Sequence, residues 1–275
     1  MTGTAAPPNP RKFFTGWRRR ALVLFLLLGC VLGFDAVAIE PYRIEVTHST
    51  IHGAVATPLK IAHLTDVHTR GIGRREQRIF AILEEEKPDV IVVTGDTLAS
   101  HGGSYSKCRA FYQRLHAPLG VWAVLGNWEN WRPLKHQQAF YESSGVHLLL
   151  NAGKPLRPDV WIAGVDDPYS AVAKPDAALA GAPPESYKIL LFHSPAYFDQ
   201  VADRVNLCLA GHTHGGQVRI PFIPPLWLPS GCGRYLEGWY EKGSSRMYVS
   251  RGLGMSVLPV RFLCRPELVF ITVEP

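Results

Sequence analysis

Two histidines one residue apart, His212 and His214, sit in Gly211-His212-Thr213-His214-Gly215-Gly216-Gln217, directly after the apolar run Leu207-Cys208-Leu209-Ala210. For both imidazoles to converge on one spot the strand must give way to a turn, which the flanking glycines allow. An isolated His-x-His is a weak motif, because many surface loops carry histidine. Four other segments strengthen it, each an apolar run that stops at a metal-capable side chain. Lys60 to Leu64 ends at Asp66 and His68, and Asp89 to Thr94 ends at Gly95-Asp96. Gly120 to Leu125 ends at Gly126-Asn127, and Ile189 to Phe192 ends at His193.

Asp, Asn and His without clustered Cys are borderline-to-hard ligands, suited to divalent Mn, Fe or Zn. Seven such residues exceed what one ion takes. Two ions about 3.5 Å apart, bridged by a shared carboxylate, would use them all and would clamp the attacking and departing oxygens of a phosphoryl displacement.

The elements that must position these residues follow from periodicity. The ligand-bearing runs read as strands whose carboxyl ends meet, the usual place for a site in an α/β fold. Arg74 to Glu86 has Ile79, Ile82 and Leu83 at helical spacing before Lys87-Pro88, which predicts an amphipathic crossover helix and a βαβ unit. Further helices are expected over 107–115, 134–144 and 196–202, and an edge strand over 42–47. Other strands are expected over 161–165, 188–192, 206–210, 246–250 and 268–273. Residues 221–229 hold four prolines and Trp227 and predict a rigid surface loop. His63, inside the first of these strands, reads as a packed core histidine.

The chain has 275 residues, a net charge of +6 and 47% hydrophobic residues, enough for one substantial core. Its excess charge belongs to the N-terminus. Arg11, Lys12, Arg18, Arg19 and Arg20 precede the first acidic residue, and without those five the 29 basic residues fall to 24 against 23 acidic ones, a net of +1. That balance argues against a phosphate-backbone binder, so no nucleic-acid partner is expected. Ala21 to Phe34 carries no charge and is followed by Asp35-Ala36-Val37-Ala38, a small-x-small pattern. Residues 1–40 therefore read as a cytoplasmic basic segment with a signal-anchor, the alternative being a signal peptide cleaved near Ala38. The paired arginines also admit twin-arginine export. The positive-inside rule puts a catalytic domain at 41–275 on the non-cytoplasmic side. Five cysteines with no Cys-x-x-Cys pair leave a Cys232 to Cys264 disulfide open.

In this order the motifs resemble those of the calcineurin-like metallophosphoesterases: Asp66-x-His68, Gly95-Asp96, Gly126-Asn127, His193 and Gly211-His212-x-His214. The resemblance covers about residues 41–275. Pro41 to Val46, His214 to Gln217 and Ser250 to Gly254 are most similar to a membrane-anchored bacterial branch that includes a UDP-diacylglucosamine pyrophosphatase. It implies an α/β fold of two mixed β-sheets packed as a sandwich and flanked by helices. It also implies that Asp66, His68 and His214 hold one metal, that Asn127, His193 and His212 hold the other, and that Asp96 bridges both.

By the same resemblance the enzyme is a dimetal phosphoester hydrolase acting through a metal-bound hydroxide on a phosphomonoester, phosphodiester or pyrophosphate. A lipid-linked or nucleotide-sugar substrate suits a membrane anchor. The chain departs from the family at Trp128, where the motif has a phosphate-contacting histidine that is a candidate acid. An indole N–H donates a hydrogen bond but delivers no proton. Trp128 and Arg251 are the expected substrate contacts; His101, five positions after Asp96, is the candidate replacement acid, and Asp96 and Asn127 are the other expected catalytic residues. The competing reading is a catalytically impaired metal-binding scaffold, favoured by Trp128 and opposed by seven intact ligands.

Overall fold

Alternation along buried strands builds a sandwich. In the strand Leu59–Leu64, Leu59 and Ile61 point into one apolar layer while Ala62 and Leu64 point into another. In Leu207–Ala210, Leu207 and Leu209 share the first layer, and Cys208 and Ala210 join a third. Both faces of each strand are covered, so these segments read as continuous apolar runs.

The computed structural model describes residues 10–99 and 101–275, with the side chains of 10–15 excepted. The expected cytoplasmic basic segment therefore lies partly outside the described residues. In chain order the strands are β1 (Glu45–His52), β2 (Leu59–Leu64), β3 (Val90–Thr94), β4 (Val121–Val124), β5 (His147–Leu148) and β6 (Ala152–Arg157), followed by β7 (Val160–Gly164), β8 (Tyr187–Leu191), β9 (Leu207–Ala210), β10 (Gly238–Lys242), β11 (Ser245–Val249) and β12 (Glu267–Glu274). The helices are α1 (Pro10–Phe34), α2 (Arg74–Glu86), α3 (Tyr105–Tyr112), α4 (Asn127–Trp131), α5 (Gln137–Glu142), α6 (Pro175–Leu179) and α7 (Phe198–Val201).

Among the described residues these strands form two six-stranded sheets, ordered β1-β12-β2-β3-β4-β5 and β10-β11-β9-β8-β7-β6. Both are mixed. β2, β3 and β4 run parallel, with β12 antiparallel to β2, and β7, β8, β9 and β11 run parallel between antiparallel edges. Aliphatic side chains from both sheets fill the space between them. α2, α3 and α5 cover the outer face of the first sheet, and α6 and α7 that of the second. The expected α-β-β-α architecture is what the chain adopts.

α2 spans the expected residues. The Glu76 carboxylate accepts the Gly73 N–H at 3.0 Å at its start, and Lys87 ends it in a left-handed turn, φ 49°. β1 begins at Glu45 rather than Tyr42, because Glu40–Tyr42 forms a single helical turn around Pro41. Two outer strands, β6 and β10, were not expected. β6 carries Pro155 at an irregularity in its pairing and β10 contains Glu241 and Lys242, so both lack an apolar run.

The N-terminal apolar run extends further than Phe34. α1 continues through a π-helical turn at Asp35–Ile39, and Gly16–Tyr42 forms a 27-residue helical stretch long and apolar enough to cross a membrane. Asp35 does not interrupt it. The helix joins the sandwich where the Arg261 N–H donates to the Ala36 carbonyl at 2.9 Å. All five cysteines are free thiols, so the Cys232 to Cys264 disulfide is not formed.

Candidate metal centre

The carboxyl ends of β2, β3 and β4 in one sheet meet those of β8 and β9 in the other, and each delivers its side chains into one buried spot. Asp66, His68, Asp96, Asn127, His193, His212 and His214 are all buried. The backbone bends sharply to achieve this. Asp66, His68, Asp96, His212 and His214 all have positive φ, between 43° and 72°. Non-glycine residues rarely take that conformation, and its clustering at one place marks a site held by its surroundings. Glycines make room beside them. A Cβ on Gly126 would stand 2.2 Å from Asp96 Oδ1, and one on Gly211 would stand 2.4 Å from Asp66 Oδ2.

Each carboxylate has one oxygen tied down and one turned towards imidazole nitrogens. Asp66 Oδ2 accepts from the His212 N–H and from the Thr65 hydroxyl, both at 2.8 Å, while Oδ1 lies 3.3 Å from His214 Nε2. Asp96 Oδ1 accepts the Trp128 N–H at 2.9 Å, while Oδ2 lies 3.3 Å from His193 Nε2 and 3.8 Å from His68 Nε2. The far nitrogens of three histidines are held by carbonyls: His68 Nδ1 by Leu98 at 3.0 Å, His193 Nδ1 by Thr94 at 2.7 Å and His212 Nε2 by Ser230 at 2.8 Å. Such backing sets which nitrogen offers its lone pair inward.

The inward nitrogens then crowd one another. His68 Nε2 and His214 Nε2 are 3.2 Å apart, and His193 Nε2 and His212 Nδ1 are 3.0 Å apart. Two donor clusters result, Asp66 with His68 and His214, and Asp96 with His193 and His212. Asp66 Oδ1 and Asn127 Oδ1 are buried with no hydrogen-bond partner. Buried unpaired oxygens beside facing imidazoles fit divalent cations, which would satisfy them all.

The histidines of the two clusters differ in their electrostatics: burial opposes charging of His193, but Asp96 and Asp66 outweigh it and raise its pKa well above the ordinary value. Burial lowers the pKa of His214 to about 3 against the pull of Asp66, leaving a neutral imidazole. Burial opposes ionisation of Asp96, but His193, His68 and His212 outweigh it and hold its carboxyl well below the usual range. Behind the two donor clusters Glu129 is buried, and burial together with the charge of Asp96 pushes its pKa up to about 7. His63 is packed between the sheets, with Nε2 2.8 Å from the Thr94 hydroxyl.

Asp96, Asn127, Trp128, His212 and His214 open onto a cleft of about 310 Å³ that is also walled by Trp131, Asp167, Tyr169, Trp227 and Val257. Trp128 thus faces the cleft and packs edge-on against Trp131, with ring centroids 5.1 Å apart. His101 is exposed and does not line the cleft. Arg251, the other expected substrate contact, stands apart from the cleft. Its guanidinium pairs with Glu45, Glu237 and Glu267 at 3.3 to 3.6 Å, so it is committed to carboxylates and lies outside the cleft lining. Asp167 was missed, although it follows the end of β7 by the same rule that found the others; its carboxylate accepts from Ser194 and Ser170.

The family model described as calcineurin-like phosphoesterase matches residues 59–216. An uncharacterized metallophosphoesterase of Bacillus subtilis (strain 168), YkuE, is 32% identical over 255 residues, which cover 86% of this chain and 87% of that protein. An uncharacterized metallophosphoesterase of Aquifex aeolicus (strain VF5) is 30% identical, covering 92% and 98%. The phosphodiesterase YaeI of Escherichia coli (strain K12) is 28% identical, covering 78% and 82%. Similarity sustained along nearly the whole of both chains, across every strand end that carries a ligand-type side chain, means that this chain belongs to the calcineurin-like metallophosphoesterases, hydrolases of phosphoester bonds.

Proposed function

We propose that the chain hydrolyses a phosphoester or pyrophosphate bond, with water as the acceptor, at the cleft between the two sheets. The observation that carries this reading is Asp96 Oδ2, a single carboxylate oxygen within 3.3 Å of His193 Nε2 and 3.8 Å of His68 Nε2, one from each donor cluster. Asp66, His68 and His214 would hold one divalent cation, Asn127, His193 and His212 the other, and Asp96 both. Such a pair acidifies water and screens charge on phosphoryl oxygens. Manganese, iron and zinc all suit this donor set.

The chain's own residues supply position. Glu129 braces the turns carrying Asp96 and Asn127. Trp128, Trp131, Tyr169 and Trp227 give the cleft flat apolar walls that suit a planar or acyl-bearing substituent on the ester. With His101 exposed and an indole at position 128, no imidazole besides the candidate ligand histidines lines the cleft among the described residues to protonate the departing oxygen. The reading therefore favours esters whose leaving group departs as an anion. The helix Gly16–Tyr42 supports an anchor, with the catalytic part on the non-cytoplasmic side.

The test is metal content and hydrolysis by the full chain in detergent, using an aryl phosphomonoester and an aryl phosphodiester with added manganese. Bound metal with turnover that Asp96→Asn abolishes supports the enzyme. Bound metal without turnover of either ester moves the assignment to a binding scaffold.

A further inference from the structure

Two loops border the cleft and end in apolar tips. In residues 220–227, Phe222 is fully exposed, and Ile223, Leu226 and Trp227 are exposed as well. In residues 257–263, Val257, Leu258 and Leu263 are exposed. Phe222 and Val257 also sit in left-handed backbone, at φ 68° and 62°, an uncommon state for bulky residues. Exposed apolar clusters of this kind mark a binding surface.

The loops are tied to each other and to the base of the N-terminal helix. Gln217 Nε2 donates to the carbonyls of Ser256 at 3.2 Å and Leu258 at 3.0 Å, and its Oε1 accepts the Ser256 N–H at 2.9 Å. The Arg219 N–H donates to Phe262 at 2.8 Å. The second loop then meets the helix, through Arg261 N–H to the Ala36 carbonyl and through Cys264 N–H to the Glu40 carboxylate. Met255 and Pro259 line one cavity with Val37, Ala38 and Tyr42. The apolar tips therefore continue the surface from which a membrane helix emerges. Trp227 and Val257 belong to the same loops and line the metal cleft.

We propose that residues 220–227 and 257–263 form a second membrane contact beside the helical anchor, seating the mouth of the metal cleft on the bilayer surface. A phosphoester in a lipid headgroup then reaches the cleft while its acyl chains stay in the leaflet. The substrate clause rests on the phosphoesterase reading above; the membrane contact does not.

The test uses the full chain in nanodiscs of phosphatidylglycerol and phosphatidylcholine. Cys30, the exposed cysteine, is changed to Ser, and the four others are buried. An environment-sensitive fluorophore is then placed at Phe222→Cys, Leu258→Cys or, as a control on α6, Asp176→Cys. Nitroxide-bearing lipid is expected to quench the labels at 222 and 258 several-fold more than the label at 176. Equal quenching at all three positions overturns the contact. Turnover of a soluble aryl phosphodiester by the same preparation tests the enzyme separately. Quenching without turnover keeps the contact and overturns the lipid-substrate clause, whereas turnover without selective quenching overturns the contact and leaves the enzyme standing.

Discussion

Glu129 grips the backbone of Asp96 rather than its side chain. Its Oε2 accepts the N–H groups of Asp96 at 2.9 Å and Gly126 at 3.0 Å, and its Oε1 accepts that of Leu98 at 2.8 Å. One buried carboxylate thereby joins the turn after β3 to the turn after β4, the two turns that deliver Asp96 and Asn127. The Tyr112 hydroxyl packs into the same region by donating to Thr97 at 2.9 Å. The separation of Asp96 from Asn127 is set by a side chain that touches neither of their functional groups.

Glu129→Gln should expose that dependence. A glutamine has one acceptor oxygen, and its amide would point N–H groups at a backbone donor that now has a carboxylate oxygen. Leaving buried donors unpaired costs about 1–3 kcal/mol, so the melting temperature should fall by several degrees. Turnover should drop by roughly tenfold or more through displaced ligands, with less manganese retained after gel filtration. A variant that melts lower yet keeps full metal and full turnover would contradict the bracing role.

The strand ends that bring the candidate metal-binding side chains together were legible in the sequence because β2, β3, β4, β8 and β9 are covered on both faces. Their apolar runs stop where the backbone leaves the sheet, which makes each exit conspicuous. Asp167 stands at a sixth such exit, and the signal was present two residues beyond Val165. The fate of Arg251 was not legible. Its partners Glu45 and Glu237 lie on other segments, and no local pattern tells a guanidinium meant for phosphate from one spent on carboxylates. The aromatic walls were hidden for the same reason, since Trp131, Tyr169 and Trp227 come from three separate segments and meet only once the sheets stack.

His63 gives the fold a titration of its own. Burial lowers its pKa from 6.5 to about 4, against the opposing pull of Glu267 and Asp66. The folded protein therefore holds the neutral ring while the unfolded chain takes up a proton below about pH 6.5. The stability associated with the neutral ring is fully present above pH 6.5 and is lost as pH falls from there towards 4. The loss amounts to roughly 3 kcal/mol at the lower end. His63→Gln keeps a polar group within reach of Thr94 and removes the titration. Its unfolding free energy by denaturant, measured from pH 7.5 to 4.5, should fall less steeply than that of the parent. Parallel curves would show that His63 ionises alike in both states.

On the proposed phosphoesterase reading, Trp128 governs which leaving groups the cleft can release. Its backbone N–H is already used on Asp96, and its indole lies against Trp131 at the cleft wall. An indole accepts and returns no proton in the neutral range, so an alkoxide would leave unprotonated by the protein. A general acid is typically worth 10²–10⁴-fold on a demanding leaving group and little on one that departs readily as an anion. Trp128→His should therefore raise kcat on an alkyl phosphodiester by about tenfold or more. The aryl ester should change little, and the ratio of the two rates should fall as pH rises past the imidazole pKa. Equal changes on both esters would assign the substitution to cleft shape rather than to proton transfer. The loss of the edge-on contact with Trp131 acts on both esters alike, so it cannot produce the selective gain.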